Sequence, residues 1–371
     1  MILSMFSLGM GGNMQAPERN STKIDSSGQD PNIYEKKKLY LSMAGSGNPW
    51  EALTKERRYI LRALHDGLSL EMLAEVFSMS DEEILAEIKP MQEASLVKEE
   101  NGRYVPAFFI CASISETEKV YSHSKSTGKM LAETLLSQWN GLERSYSKLS
   151  ISRSYPFNEQ AFLLVGSRLL DIGLLGALSR DKSLLTPAPP RPSPGRPDSR
   201  YYFWMVEGEL EHLGKYGQED MPLAQKNWYF LTFGQSWISG KRNEAREAIE
   251  KNYEKIMKAN CIENPESIAK ELNIPLLTKK DSLIWKDVTK KHSDSLLNEL
   301  KALSTEFEQF FRTLKASQYA HNSFGEFFCW YIHLAYVWAI DALIEKGVMT
   351  IPQEHFSAII LYREGEEGLL F

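Results

Sequence analysis

Residues 69–109 read SLEMLAEVFSMSDEEILAEIKPMQEASLVKEENGRYVPAFF. Ser69 can accept a hydrogen bond from a helical first turn, and Met72, Leu73, Val76 and Phe77 follow at helical spacing. Ser80 and Glu83 stand three apart, the arrangement that caps a helix reciprocally, and Ile84, Leu85, Ile88 and Met91 continue from them. From Leu96 the pattern becomes that of a short strand, Leu96–Glu99. Asn101 and Gly102 tolerate the positive φ angles of a tight hairpin turn, and Tyr104–Ile110 returns as a second strand. Upstream, Thr54–His65 predicts one more helix, with Ile60, Leu61 and Leu64 apolar and Asp66-Gly67 ending it.

The order helix, helix, capped helix, hairpin resembles the winged helix-turn-helix transcription regulators of the MarR and ArsR kind, over residues 50–110 only. The resemblance implies a mainly-α chain: an N-terminal winged helix-turn-helix over residues 48–112, then a large helical C-terminal region with few short strands. It also implies a cytoplasmic DNA-binding regulator without enzymatic activity. Arg57, Arg58, Arg62, Lys89, Lys98 and Arg103 are then the expected DNA contacts. The local charge opposes that use. Between Glu51 and Ile110 seven basic side chains face twelve acidic ones, and the third helix opens with Asp81-Glu82-Glu83. Affinity for DNA comes largely from neutralising phosphates, and such helices enter the groove N-terminus first. Two readings therefore stand: a DNA-binding regulator, or an interaction or structural protein whose helices dock another protein.

Composition narrows the rest. With 371 residues, 43% hydrophobic and 25% charged, the chain is long and apolar enough for a sizeable core and two or three domains. A net charge of -6 excludes a basic footprint across the whole chain. Cys111, Cys261 and Cys329 lie far apart, which fits a reducing cytosol better than a disulfide framework. The opening MILSMFSLGMGG has no charged n-region, so no signal peptide is expected. Phe327–Ile344 is nearly all apolar, but it holds His333 and Asp341 and follows Glu326. A buried core helix is expected there, and no membrane.

Residues 1–47 read as a flexible tail with a short helix over Asp30–Ala44. Residues 113–371 read as a helical sensor or assembly domain. Its first helix runs Glu116–Tyr146. A second, Asn158–Arg180, carries Gly166, Gly173, Gly176 and Ala177 for close approach of a neighbour, and Arg168 and Asp171 stand three apart, ready to pair. The Pro-rich loop 187–200 is expected irregular and exposed. Tyr201–Trp204 and Trp228–Trp237 read as aromatic core. Helices are expected over Asn243–Lys258 and within Ser282–Lys315, and a short strand over Ala358–Tyr362. A fainter helix-turn-helix-like stretch, Pro265–Pro275 followed by Thr278–Val288, reads as two surface helices joined by a turn.

Chemical signatures are sparse. Glu209-Leu-Glu-His212 places a carboxylate and an imidazole at di-iron spacing, but no second copy accompanies it, so neither metal nor cofactor is expected. A ligand pocket, if formed, is expected to draw on Arg168, Trp204, Trp228, His333 and Asp341, serving a small-molecule effector in a chain able to form a homodimer.

Overall fold

The computed structural model describes residues 33–192, 196–223, 225–235, 264–353 and 356–363. The expected helix over Asn243–Lys258, Trp237 and most of the N-terminal tail lie outside the described residues.

The chain begins with β1 (Leu39–Gly45), a strand where a short helix was expected. Three helices follow: α1 (Lys55–His65), α2 (Leu70–Phe77) and α3 (Asp81–Glu93), with Thr54, Ser69 and Ser80 as N-caps. The Ser80–Glu83 capping box closes in both directions. Then β2 (Val97–Glu100) and β3 (Arg103–Pro106) pair antiparallel around Asn101 and Gly102, whose φ angles are 53° and 74°. A short β4 (Phe109–Cys111) leads into the 33-residue α4 (Ile114–Tyr146).

Next comes an apolar helical run: α5 (Phe157–Ala161), a π-helical segment Phe162–Asp171, and α6 (Ile172–Asp181). β5 (Tyr201–Glu207), β6 (Gly217–Pro222) and β7 (Trp228–Gly234) follow the Pro-rich loop. The C-terminal part holds α7 (Pro265–Leu272), β8 (Leu276–Leu277), α8 (Lys279–Ala302), α9 (Ser304–Thr313), α10 (Phe324–Glu345) and β9 (Phe356–Tyr362). Over residues 265–288 two helices, α7 and the start of α8, are joined by a short connection that holds β8, as the helix-turn-helix-like stretch was expected to fold.

The expected fold class is overturned. Among the described residues 57% are helical and 16% strand, too much strand for a helical protein with a few stray pairs. The sheets are ordered β1-β5-β4, β2-β3 and β6-β7-β9-β8, so the architecture is α+β. Nor does the N-terminal region stand as a winged helix-turn-helix ahead of a separate body. It is a succession of strands and short helices built onto β5, which comes a hundred residues later.

β5 shows why. All seven of its residues are buried. Successive side chains of a strand point to opposite faces. Tyr201, Phe203 and Met205 join Ile60, Leu61, Leu73, Ile84 and Ile88 in one core, whereas Tyr202, Trp204 and Val206 join α4, α10 and the π-segment in the larger one. The first sheet is a wall shared by two cores, and it crosses the boundary drawn at residues 112/113.

The Pro-rich loop is irregular, and Pro187, Pro190, Pro192 and Pro197 are exposed, but the loop is not a free linker. Arg191 points inward and forms a buried ion pair with Glu326 at 2.7 Å, while its two terminal nitrogens donate to Tyr201 O and Ala107 O at 2.6 Å each. Two helices, Phe157–Asp181 and Phe324–Glu345, are long and apolar enough to cross a membrane, and both are mostly covered by the rest of the fold.

Candidate functional site

A cavity of about 800 Å³ opens between the two larger sheets. Its walls come from several places far apart in sequence. The end of β1 supplies Ser42–Ser46, fixed by antiparallel pairing with β5. The loop after the prolines supplies Arg196–Ser199, with Arg196 Nη1 donating to Ser46 O at 2.6 Å. The junction of the π-segment and α6 supplies Asp171, Ile172 and Leu175. β6 and the turn before it supply Leu213, Tyr216, Gln218 and Asp220, and α10 supplies His333 and Tyr336. Arg363 closes the ring just beyond β9.

π-helical turns widen a helix and are found at functional sites more than elsewhere. Here the wide segment carries Arg168 and ends at Asp171, whose ψ of -86° breaks the helical path before α6 begins. Gly166 and Gly173 let Phe233 and the α8 side chains Thr289 and Ser293 press against this segment. The small residues noted in the sequence therefore do serve a close approach.

Burial governs the charges. It pushes the Asp171 carboxyl up to about 7, against the pull of Arg168. It lowers Arg168 to about 9, helped by the neighbouring Arg363 guanidinium. No ion pair closes between Arg168 and Asp171, although the sequence put them three apart. His333 is held down to about 4 by burial. Its Nδ1 donates to the Cys329 carbonyl at 2.6 Å, which leaves Nε2 as an acceptor. Trp204 packs at 5.1 Å against that imidazole, and its buried Nε1 has no hydrogen-bond partner.

Of the five residues expected in a pocket, His333 lines the cavity and Trp204 packs on His333, while Arg168 lies outside the lining but close enough to Arg363, Asp220 and Asp171 to feel their charges. Asp341 sits one layer behind, accepting from Tyr216 Oη at 2.5 Å and Lys215 Nζ at 2.9 Å. Trp228 lies elsewhere, edge-on to Tyr362. Sequence reasoning missed Arg363, Asp220 and Tyr216. Arg363 directly follows an apolar strand, but its partner Asp220 is more than a hundred residues upstream, so no local spacing marks the pair.

The expected DNA contacts are not brought together as a basic face. Arg57 Nε pairs with Glu87 at 2.8 Å. Arg62 is buried between Asp66 and Glu207 and donates to Ala112 O at 3.1 Å. Lys98 pairs with Glu100, and burial lowers the pKa of Arg58. Lys89 and Arg103 remain exposed, as do Asp81, Glu82 and Glu83. His212, of the Glu209-x-x-His212 spacing, accepts from Glu209 N at 3.1 Å through Nδ1, and among the described residues no group of three His, Cys, Asp or Glu converges.

No family model, curated protein or solved structure matches this chain.

Proposed function

We propose that this chain is a cytoplasmic small-molecule-binding protein, with the cavity between the sheets as its ligand site and the helices α1–α3 as the part that passes the signal to another protein. The observation that carries the reading is the cavity itself. It has the volume of a ligand pocket, and its wall mixes apolar and aromatic side chains with Arg196, Asp198, Gln218, Asp220, His333 and Arg363. Its floor at β1 belongs to the sheet that also forms one wall of the α1–α3 core, so a ligand that moves β1 reaches both lobes. Free, buried Cys111 and Cys329 fit a reducing compartment.

DNA binding by α1–α3 is the weaker reading. Three of its six expected cations are tied to carboxylates of the same chain, and the Nε of a fourth, Arg58, is buried without a hydrogen-bond partner. The exposed acids of α3 suit a basic protein surface better than phosphates. The DNA reading predicts salt-sensitive retention of labelled duplex, lowered by Arg103→Ala. Absence of retention at low salt removes it.

Ligand binding is tested by thermal unfolding in the presence of fractions of a small-molecule extract, for the wild type and for Ile172→Trp, which places an indole in the cavity. At least one fraction should stabilise the wild type and leave the variant unmoved. Equal shifts in both proteins, or no shift from any fraction, would sink the reading.

A further inference from the structure

The edge of a β-sheet presents a row of backbone N–H and C=O groups that another strand can take up, and proteins ordinarily blunt it with charge, proline, a bulge, shortness or a covering group. Among the described strands every outer edge but one is blunted in such a way. On β4 the Asn322 side chain stands in for a strand: its Oδ1 accepts from Ile110 N and its Nδ2 donates to Ile110 O, each at 2.8 Å. β6 carries Glu219, Asp220 and Pro222, β8 is two residues long, and the β2–β3 hairpin carries Lys98, Glu99, Glu100 and Arg103. β1 is the exception. Its sequence, LYLSMAG, holds neither charge nor proline, and its pairing with β5 runs from Leu39 to Gly45 without a bulge.

The open groups on β1 can be assigned. Ser46 N donates to Arg200 O at 3.0 Å, and Gly208 N donates to Lys38 O at 3.1 Å. Both bonds keep the β1–β5 register, and hydrogen-bonded pairs alternate along an antiparallel ladder. The even-numbered residues of β1 therefore direct their backbone groups at β5, and Leu41, Met43 and Gly45 direct theirs away from it. Among the described residues no group bonds to the outward N–H and C=O of Met43 or Gly45. The cavity lies on that side. Its lining includes the unbroken run Ser42–Ser46. Neighbouring side chains of a strand point to opposite faces, so such a run lines one space only along the strand's edge. Ala44 belongs to the larger core together with Leu213, Tyr216 and Tyr336, and those three also line the cavity. A strand added beside β1 would lay every second side chain among them.

We propose that the cavity binds a short extended peptide, which adds to β1 as a further strand, exchanges backbone hydrogen bonds with Met43 and Gly45, and seats alternate apolar side chains against Leu213, Tyr216 and Tyr336. The run Ser42–Ser46 accommodates about five residues, roughly 17 Å of strand. The assignment rests on the ligand-binding reading above and names the ligand's class.

The test uses pools of pentapeptides, acetylated and amidated at their ends, with Val, Leu or Tyr at positions 2 and 4 and Ser, Thr or Lys elsewhere, titrated into the full chain by calorimetry. The tightest binder is then N-methylated at one amide at a time, which deletes one donor. Amides facing β1 alternate with amides facing away, so affinity should fall about tenfold or more at every second position and hold at those between. Met43→Pro removes one outward donor and leaves the β1–β5 ladder intact, a place where an edge strand accepts proline. It should weaken the unmodified peptide to a similar degree. If Met43→Pro does not fold, the methylation series on the wild type still decides. Affinity lost at every position, or at none, overturns strand addition. Peptide binding unaffected by Ile172→Trp lies outside the cavity and also overturns it. A dimer in sedimentation that Met43→Pro dissolves makes a second copy the occupant, with the same consequence. If no pool binds while an extract fraction stabilises the wild type and not Ile172→Trp, the peptide assignment falls and the ligand-binding reading stands; if neither pool nor fraction binds, both fall.

Discussion

Arg191 and Glu326 form an ion pair from which water is nearly excluded. Burial raises the Glu326 pKa in spite of the guanidinium, a sign that desolvation is not recovered in full. The pair joins the Pro-rich loop to the start of α10 and to β5, and Phe203 N also donates to Glu326 Oε1 at 3.3 Å. Arg191→Met alone strands a carboxylate, and Glu326→Leu alone strands a guanidinium. Each should cost about 3–5 kcal/mol, and the double variant should regain much of that. Chemical denaturation of the four proteins checks it; costs that simply add would show that the pair is not what fixes the loop. A second residue-scale prediction concerns three imidazoles. His65 Nδ1 lies 2.9 Å from His321 Nε2, and His65 packs at 4.0 Å on the Tyr319 ring. Burial, then the partner imidazole, holds His65 down to about 2; burial holds His321 and His333 down to about 4. Above about 6.5 both folded and unfolded chains carry these rings neutral, so they leave stability unchanged with pH. Below it the unfolded chain takes up protons that the folded chain refuses, so stability falls from about pH 6.5 toward pH 4. His321→Gln should flatten that fall in melts followed across the window, and an unchanged slope would refute the assignment.

At the scale of elements, the close packing of α4 on α10 depends on Gly128. A Cβ built there would stand 2.3 Å from Trp338 Cβ and 2.6 Å from Ala335 O. One of the contacting atoms is backbone, so a rotamer change cannot relieve the clash. Gly128→Ala should destabilise by roughly 1–3 kcal/mol in denaturant, although alanine is the better helix former. Gly102→Ala is a contrasting case, since its Cβ would meet nothing within 4 Å and only the φ of 74° resists it. A loss of about 1 kcal/mol or less is expected there. These two glycines show where the sequence was legible. The β2–β3 turn is written locally in Asn101-Gly102, as are the caps at Thr54, Ser69 and Ser80, because each is decided within a few residues. Gly128 carried no local signal, because what it accommodates is two hundred residues away. The seven-residue β5 read only as an aromatic core, because a strand buried on both faces loses the alternation that marks a strand. β1 read as a helix for a related reason: its partner is β5. The cavity was legible through His333, and illegible through Arg363 and Asp220, whose meeting depends on the β6-β7-β9 order.

For the whole molecule, the shared wall decides what can be separated. The core of α1–α3 includes Tyr201, Phe203 and Met205, so a fragment of residues 33–112 would leave apolar faces of Ile60, Leu61 and Phe108 uncovered. Expressed alone, that fragment should show poorly dispersed amide resonances. A well-dispersed, cooperatively melting fragment would instead reinstate the independent module. The same strand order also bears on biosynthesis. Strand β5 lies between β1 and β4 in space, yet leaves the ribosome on the order of a hundred residues after α3. At roughly 5–20 residues per second, the half-built core waits about 5–20 s for its missing wall. Throughout that interval its sticky surface is on offer to chaperones and to neighbouring nascent chains. Faster translation through residues 113–200 would shorten the wait, so codon choice in that stretch, far from any site residue of α1–α3, should alter the soluble yield.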